Sequence, residues 1–301
     1  MVTDPPLLLL ERFAPGSGWI EVILASVYAA IVVTNMKNPK NVAQWRKITW
    51  LIFSVVFFLQ LLFGLFADSR FLMTGKLHLP VPAIVIGGPI YRMQLSFMPL
   101  LFISTVLLTG PAWCSHLCYF GAFDNLAASG KGMRNKPVKN KMGIKHAFLF
   151  LLIAVALLFN LFGVSSLVAT ATGIFAGLTG VVILLVFSGK NKKMMHCTAY
   201  CPLGTLVNYT KYASPFRIHI TEQCTECMAC TNTCKYDALN LSDIHARKPG
   251  ITCTYCGDCI SACDRNAIVY RFWGLSPQTA RNLYLVMTIS LHASFLFLAR
   301  I

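Results

Sequence analysis

Six apolar runs, near residues 17–34, 48–66, 93–110, 146–163, 167–188 and 283–300, constrain this 301-residue chain more than any other feature. Each is close to the roughly 20 residues that a helix needs to cross a hydrocarbon core of ~30 Å. The composition agrees, since 56% of residues are hydrophobic, 12% are charged and the mean hydropathy is +0.62, too apolar for an ordinary water-soluble domain. The runs predict an α-helical polytopic membrane bundle of about six spans. A further apolar piece, LPVPAIVIGGPIY at 79–91, is too short to span. Its Pro80, Pro82, Gly87, Gly88 and Pro89 predict a broken helix, and a re-entrant or interfacial segment is expected. Asp4 and Glu11 stand where a signal peptide carries cations, so no cleaved signal is expected.

The cations orient the bundle. Lys37, Lys40, Arg46 and Lys47 follow the first run, and Lys131, Arg134, Lys136, Lys139, Lys141 and Lys145 follow the third. Lys190, Lys192 and Lys193 follow the fifth, whereas the opposite loops hold only Arg70, Lys76 and Arg92. Positive-inside topology places the richer loops in the cytoplasm and both termini outside, in a cell (inner) membrane. The net charge of +15 is accounted for by these short loops and by anionic headgroups, so no nucleic-acid partner is expected.

From about Ser214 to Trp273 the chain is polar by comparison, and eight of its twelve cysteines fall there. Cys224, Cys227, Cys230 and Cys234 form one C-x2-C-x2-C-x3-C run, and Cys253, Cys256, Cys259 and Cys263 repeat it 29 residues later. Short spacings let one loop wrap three corners of a four-iron cluster while the distal cysteine reaches the other cluster. The expected ligand sets are Cys224, Cys227, Cys230 with Cys263, and Cys253, Cys256, Cys259 with Cys234, each holding a [4Fe-4S] cluster. Disulfides need an oxidising compartment, contrary to the topology. Zinc ordinarily takes two C-x2-C halves rather than runs of three. The segment resembles the bacterial two-cluster ferredoxins, which implies a small α+β unit. It departs from them at Lys235 and Asp264, where that family has proline. The organisation read from the chain is therefore 1–213 membrane domain, 214–273 ferredoxin domain and 274–301 C-terminal transmembrane helix.

The remaining four cysteines form two C-x3-C pairs. WCSHLCYFGAFDNL (113–126) and HCTAYCPLGTLVNY (196–209) align at an offset of 83, with Cys114 on Cys197, Cys118 on Cys201, Gly121 on Gly204 and Asn125 on Asn208. This is an internal repeat of helix pairs, each ending in a thiol pair at the cytoplasmic surface. In α-helical form residues i and i+4 share a face, so each pair is expected to present both thiols together. Buried inert cysteines, a redox-active dithiol and a third iron-sulfur centre on Cys114, Cys118, Cys197 and Cys201 are the competing readings.

With these motifs over residues 45–272, the chain resembles the membrane ferredoxins of the NapH, MauN and NosR type. It departs from them at Tyr119, where they have proline, in its last helix and in its first. The resemblance implies a quinol dehydrogenase component. Such a protein passes electrons between the quinone pool and iron-sulfur or haem partners of an anaerobic respiratory chain, as one subunit of a membrane complex. An electron-donating assembly factor for a periplasmic metalloenzyme, and a subunit of an ion-translocating ferredoxin complex, are the alternatives. Quinone as substrate needs a proton acceptor near lipid, and the candidates are His78, Asp68 and His292. Glu21, Gln60 and Arg92 are polar neighbours expected on the same outer side, while His116 and His196 flank the thiol pairs. Glu222, Glu226, Asp237, Asp243, Asp258 and Asp264 hold most of the chain's acidic charge and predict a docking face for a redox partner.

Overall fold

The computed structural model describes residues 6–72, 81–94, 97–130 and 137–298. His78, Lys76, Lys131, Arg134, Lys136 and Arg300 fall outside them. In chain order the helices are α1 (Leu9–Phe13), α2 (Gly18–Lys37), α3 (Val42–Phe66), α4 (Pro82–Arg92), α5 (Phe97–Thr109), α6 (Tyr119–Ala127), α7 (Lys141–Leu161), α8 (Ser166–Ile183), α9 (Gly189–Asn191) and α10 (Pro202–Ala213). There follow β1 (Arg217–Ile220), α11 (Ala229–Thr233), α12 (Leu241–His245), α13 (Asp258–Ser261), β2 (Ile268–Arg271) and α14 (Pro277–Phe297).

Among the described residues five stretches are long and apolar enough to cross a membrane: Gly18–Lys37, Pro39–Phe66, Pro99–Leu117, Lys141–Leu161 and Ser166–Asn191. Their outer faces carry exposed Phe150, Leu158, Leu167, Phe175 and Leu185, the pattern that lipid rather than water accommodates. The sixth run becomes α14, which lies antiparallel to α2. Arg281 donates to the carbonyls of Met36 and Lys37 at one end, and Leu8 bridges to Leu298 at the other. Its composition is less apolar than that of the five because Gln278, Arg281 and Asn282 occupy its first turns.

The expectation that prolines break the 79–91 stretch is overturned, because residues 82–92 form one continuous helix, α4. Pro82 opens it, where a missing N–H costs nothing, and Met93 closes it in the left-handed conformation. Pro89 does remove an interior bond, and packing against α7 and α8 offsets that loss. Eleven residues reach about 16 Å, roughly half a bilayer. Val81 touches the level of Gly177 and Tyr91 donates to Val164 O at 2.7 Å. The helix therefore covers only the part of α8 away from α9.

The polar segment is no tethered bead. β1 pairs antiparallel with β2, Arg217 opposite Arg271 and Ile220 opposite Ile268. Their inward side chains join Trp50, Ala112, Ala122 and Met194 of the helical part in one continuous core. Arg46, expected to be a topology-setting loop cation, is buried and grips Asp258 with two bonds of 2.6 and 2.5 Å. Lys141 and Lys193 likewise reach Asp237, at 2.8 and 3.3 Å. The predicted acidic docking face is thereby dismantled in part. Asp237 and Asp258 turn inward to anchor the segment, and Asp243 closes the capping box of α12.

Candidate metal centre

The two long cysteine runs fold alike at the level of single residues. Glu226 and Tyr255, Met228 and Gly257, and Asp237 and Asn266 are pairs 29 apart, and all six residues have φ between 51° and 81°. A non-glycine residue in that region costs roughly 1–2 kcal/mol. Repeating it at matched positions curls each loop around a common point. The Cys234 and Cys263 sulfurs each accept a backbone N–H, from Ala238 and Ala267, at 3.3 Å. Such bonds stabilise thiolates that ligate iron.

One cavity of about 150 Å³ is lined by Cys224, Cys227 and Cys230 together with Cys263. The exchange of distal cysteines expected from the spacing is thus present as a juxtaposition. On the other side Cys253, Cys256 and Cys259 neighbour Cys234, and burial followed by mutual repulsion pushes the Cys259 thiol well up. Burial drives Cys253 up to about 12 and raises Cys234 and Cys256 too. A buried thiol quartet of this kind ionises only against bound positive charge.

All twelve cysteines are free of disulfide bonds. Among the described residues no three His, Cys, Asp or Glu side chains converge closely enough for a single ion. Three thiols from one loop with a fourth from the other run are a donor set of the kind that iron-sulfur clusters take.

The C-x3-C pairs differ from expectation in backbone. Neither pair sits on one face of an α-helix. Trp113–Leu117 and His196–Tyr200 are π-helical turns, closed by the N–H of Cys118 on Trp113 O and of Cys201 on His196 O, at 3.0 and 2.8 Å. Cys118 and Cys201 then hold the N-cap positions of α6 and α10, and the Cys201 sulfur accepts the Gly204 N–H. The widened turn brings the first cysteine of each pair toward the second at the start of a new helix, an adjustment frequent at functional sites. Gly121 is required by packing, since a Cβ there would lie 2.4 Å from the Trp50 ring. All four thiols line one pocket with Trp113, His196, Tyr236 and Thr254. Burial raises the Cys118 thiol to about 12 and lifts Cys197 and Cys201 as well. The buried Lys145 ammonium, donating to Cys197 O at 3.0 Å, favours the charged form of Cys201.

Sequence reasoning missed Asp124. It is fully buried, accepts from the Cys197 N–H at 2.9 Å and from Ser188 Oγ at 2.5 Å, and burial raises it to about 6. The available signal was a lone carboxylate in an otherwise apolar helix. Lys235, standing where ferredoxins have proline, bonds Asn125 O at 3.0 Å and also Ser129 Oγ. It ties the first long run to α6.

The polar candidates fare unequally. Asp68 pairs with Arg70 at 2.6 Å on an exposed turn. His292 has both ring nitrogens engaged, by His116 O at 2.8 Å and the Tyr28 hydroxyl at 3.0 Å. Glu21 accepts the N–H groups of Leu9 and Leu10, and Gln60 donates to Leu298 O. His116 meets Ser115 Oγ at 3.1 Å and does not line the thiol pocket. His196 does line it, and it also lines a larger cavity of about 340 Å³ between α4, α7 and α8, as does Arg92. Burial pushes His196 down to about 4.

Residues 93–141 and 174–220 match a family described as a 4Fe-4S binding domain. The chain is thus similar to 4Fe-4S ferredoxin-type proteins. Each matched segment contains one C-x3-C pair, so both are needed for four thiols. No curated protein and no solved structure matches the chain. A 4Fe-4S domain with this many cysteines supports iron-sulfur clusters and suggests electron transfer, and five long apolar helices are compatible with a membrane protein.

Proposed function

We propose that this protein is an inner-membrane component that moves electrons between the quinone pool and a redox partner on the cytoplasmic side. Cys224, Cys227, Cys230 and Cys263 hold one [4Fe-4S] cluster; Cys253, Cys256, Cys259 and Cys234 hold a second. Cys114, Cys118, Cys197 and Cys201 hold a third, and the 4Fe-4S match over both C-x3-C segments favours four irons there rather than two. Bound clusters supply one-electron chemistry at near-constant geometry. The chain's own residues place them, exclude water and screen their charge.

The observation that carries this reading is the order of the three cysteine sites. The C-x3-C pocket is deepest, with Cys114, Cys118 and Cys201 buried among helix ends. Tyr236 and Thr254, which neighbour Cys234 and Cys253 in sequence, form its wall, so the second site abuts it. The first site is outermost, with Cys227 exposed. A row running from apolar helices to open surface suits exchange between a lipid-soluble donor and a partner in water. A redox dithiol is disfavoured because the four thiols face one pocket instead of forming two separate pairs.

Anaerobic mixing of the purified protein with a short-tailed quinol tests the proposal. Bleaching of the visible cluster absorption, with matching quinone formation, is expected. Intact clusters that neither take electrons from the quinol nor return them to quinone would overturn it, and an assembly or ion-translocating role would then stand.

A further inference from the structure

We infer that the 340 Å³ cavity between α4, α7 and α8 is the quinol site, with the His196 ring as the acceptor for a quinol hydroxyl. The inference rests on the function proposed above and adds a location for its substrate. It also moves the site away from Asp68, His78 and His292.

The first ground is an unpartnered polar atom. His196 is 3% exposed, and its Nδ1 lies 3.2 Å from Gly180 O. A carbonyl only accepts, so Nδ1 carries the hydrogen and Nε2 keeps a lone pair. That Nε2 is buried and has no hydrogen-bond partner among the described residues. A buried acceptor left alone forfeits hydration without return, a cost that a hydroxyl donor removes. The fixed tautomer prefers a ligand bearing O–H over one bearing only C=O.

The second ground is shape. The α8 face toward α4 is built of small residues, among them Ala169, Gly173, Ala176 and Gly177. A Cβ at Gly173 would lie 2.5 Å from Ile84 and one at Gly177 would lie 2.8 Å from Val81, so the helices approach closely at those levels. Beside α4 a slot remains, lined by α4 from Val81 to Arg92 and by the facing sides of α7 and α8. It runs from His196, at the level of Gly180, to Ser166, about 21 Å along the helix axis. Its lining is mostly aliphatic and aromatic, which suits an isoprenoid tail; the Tyr91, Thr172, Thr179 and Tyr200 hydroxyls there already donate to backbone carbonyls, and His196 stands at the end where the ring would sit. The third ground is adjacency. His196 also lines the pocket of the four C-x3-C thiols, and the next residue, Cys197, is one of them.

The test uses the full-length protein in nanodiscs, kept reduced with dithionite so that binding is read without turnover. The probes are a decyl-tailed benzoquinol and its dimethyl ether, which lacks the O–H donors. In the wild type the quinol should bind about tenfold more tightly than the ether. His196→Phe should abolish that preference, and Ala176→Phe, which fills the slot, should weaken both ligands, with iron per chain unchanged. An azido-decylquinone photolabel on the wild-type protein supplies a readout independent of any variant. It should attach within 81–92, 148–159, 166–180 or 196–202. Equal binding of quinol and ether, or a label confined to 68–72 or to α14, would overturn the assignment. If quinol still bleaches the clusters while the label falls elsewhere, the site is wrong and the function stands. If the label falls in the slot and no electron is exchanged, the site stands and the function falls.

Discussion

The two kinds of cysteine site are built in opposite ways. In the C-x2-C-x2-C-x3-C runs nearly everything is local: each loop supplies three thiols, and left-handed residues at matched positions impose the curl. Only the fourth thiol comes from elsewhere, from the end of the other run. The C-x3-C site has no such loop. Each π-turn offers two thiols, and the pair becomes a quartet only because tertiary packing brings the two turns to one pocket. A local site tolerates loss of distant packing, whereas an assembled site inherits every weakness of the bundle. The difference yields predictions of decreasing size.

The largest effect should come from single ligands. Cys201→Ser should retain about eight irons and lose the other four or so per chain, because no neighbouring residue replaces a thiol at a helix cap. Cys263→Ser should instead damage the cluster bounded by Cys224, Cys227 and Cys230, although it lies in the other run. Iron and sulfide analysis with low-temperature paramagnetic resonance separates the two. If Cys263→Ser disturbed only the Cys253 site, the exchange between runs would be refuted.

Next comes the anchor between the regions. Arg46→Met leaves Asp258 charged and buried at 4% exposure, which should cost about 3–5 kcal/mol. The double variant Arg46→Met with Asp258→Leu should recover most of that, since paired apolar groups need no compensation. Denaturant unfolding followed through cluster absorbance reads both. An unaffected single variant would mean that the polar segment holds to the helices by its apolar core alone.

A smaller effect belongs to Asp124, which braces one C-x3-C turn through the Cys197 N–H and Ser188. Asp124→Asn should weaken that turn by about 1–3 kcal/mol. Iron release to a chelator should then quicken at the C-x3-C site and stay unchanged in the runs. Faster release from every site would show that the two regions are not independent. Smallest of all is the exposed pair Arg247 and Glu222, 3.1 Å apart. Glu222→Gln should shift stability by less than about 1 kcal/mol and leave all iron in place.

Much of this molecule was legible before folding. Apolar runs of bilayer length become long helices because backbone groups in lipid must be satisfied within the segment. Cysteines separated by two residues gather in tight loops because the covalent chain itself keeps them close. The offset of 83 likewise foretold two alike cysteine turns, since identical local sequence settles into the same local backbone.

What the sequence left open depended on contacts between distant segments. Proline content argued against α4, yet α7 and α8 hold it helical. Cations such as Arg46, Lys141 and Lys193 read as topology signals, and only the fold turned them onto Asp258 and Asp237. The same is true of His196, one of several polar residues near the membrane until Gly180 fixed its tautomer and the packing of α4 against α7 and α8 left a slot beside it. Local spacing and hydropathy are properties of a few neighbouring residues, so the chain alone determined the spans and the loops. Tautomer, burial and partner choice are set by contacts between separate elements, from Gly180 and His196, 16 residues apart, to Arg46 and Asp258, 212 apart, and only tertiary packing decided them.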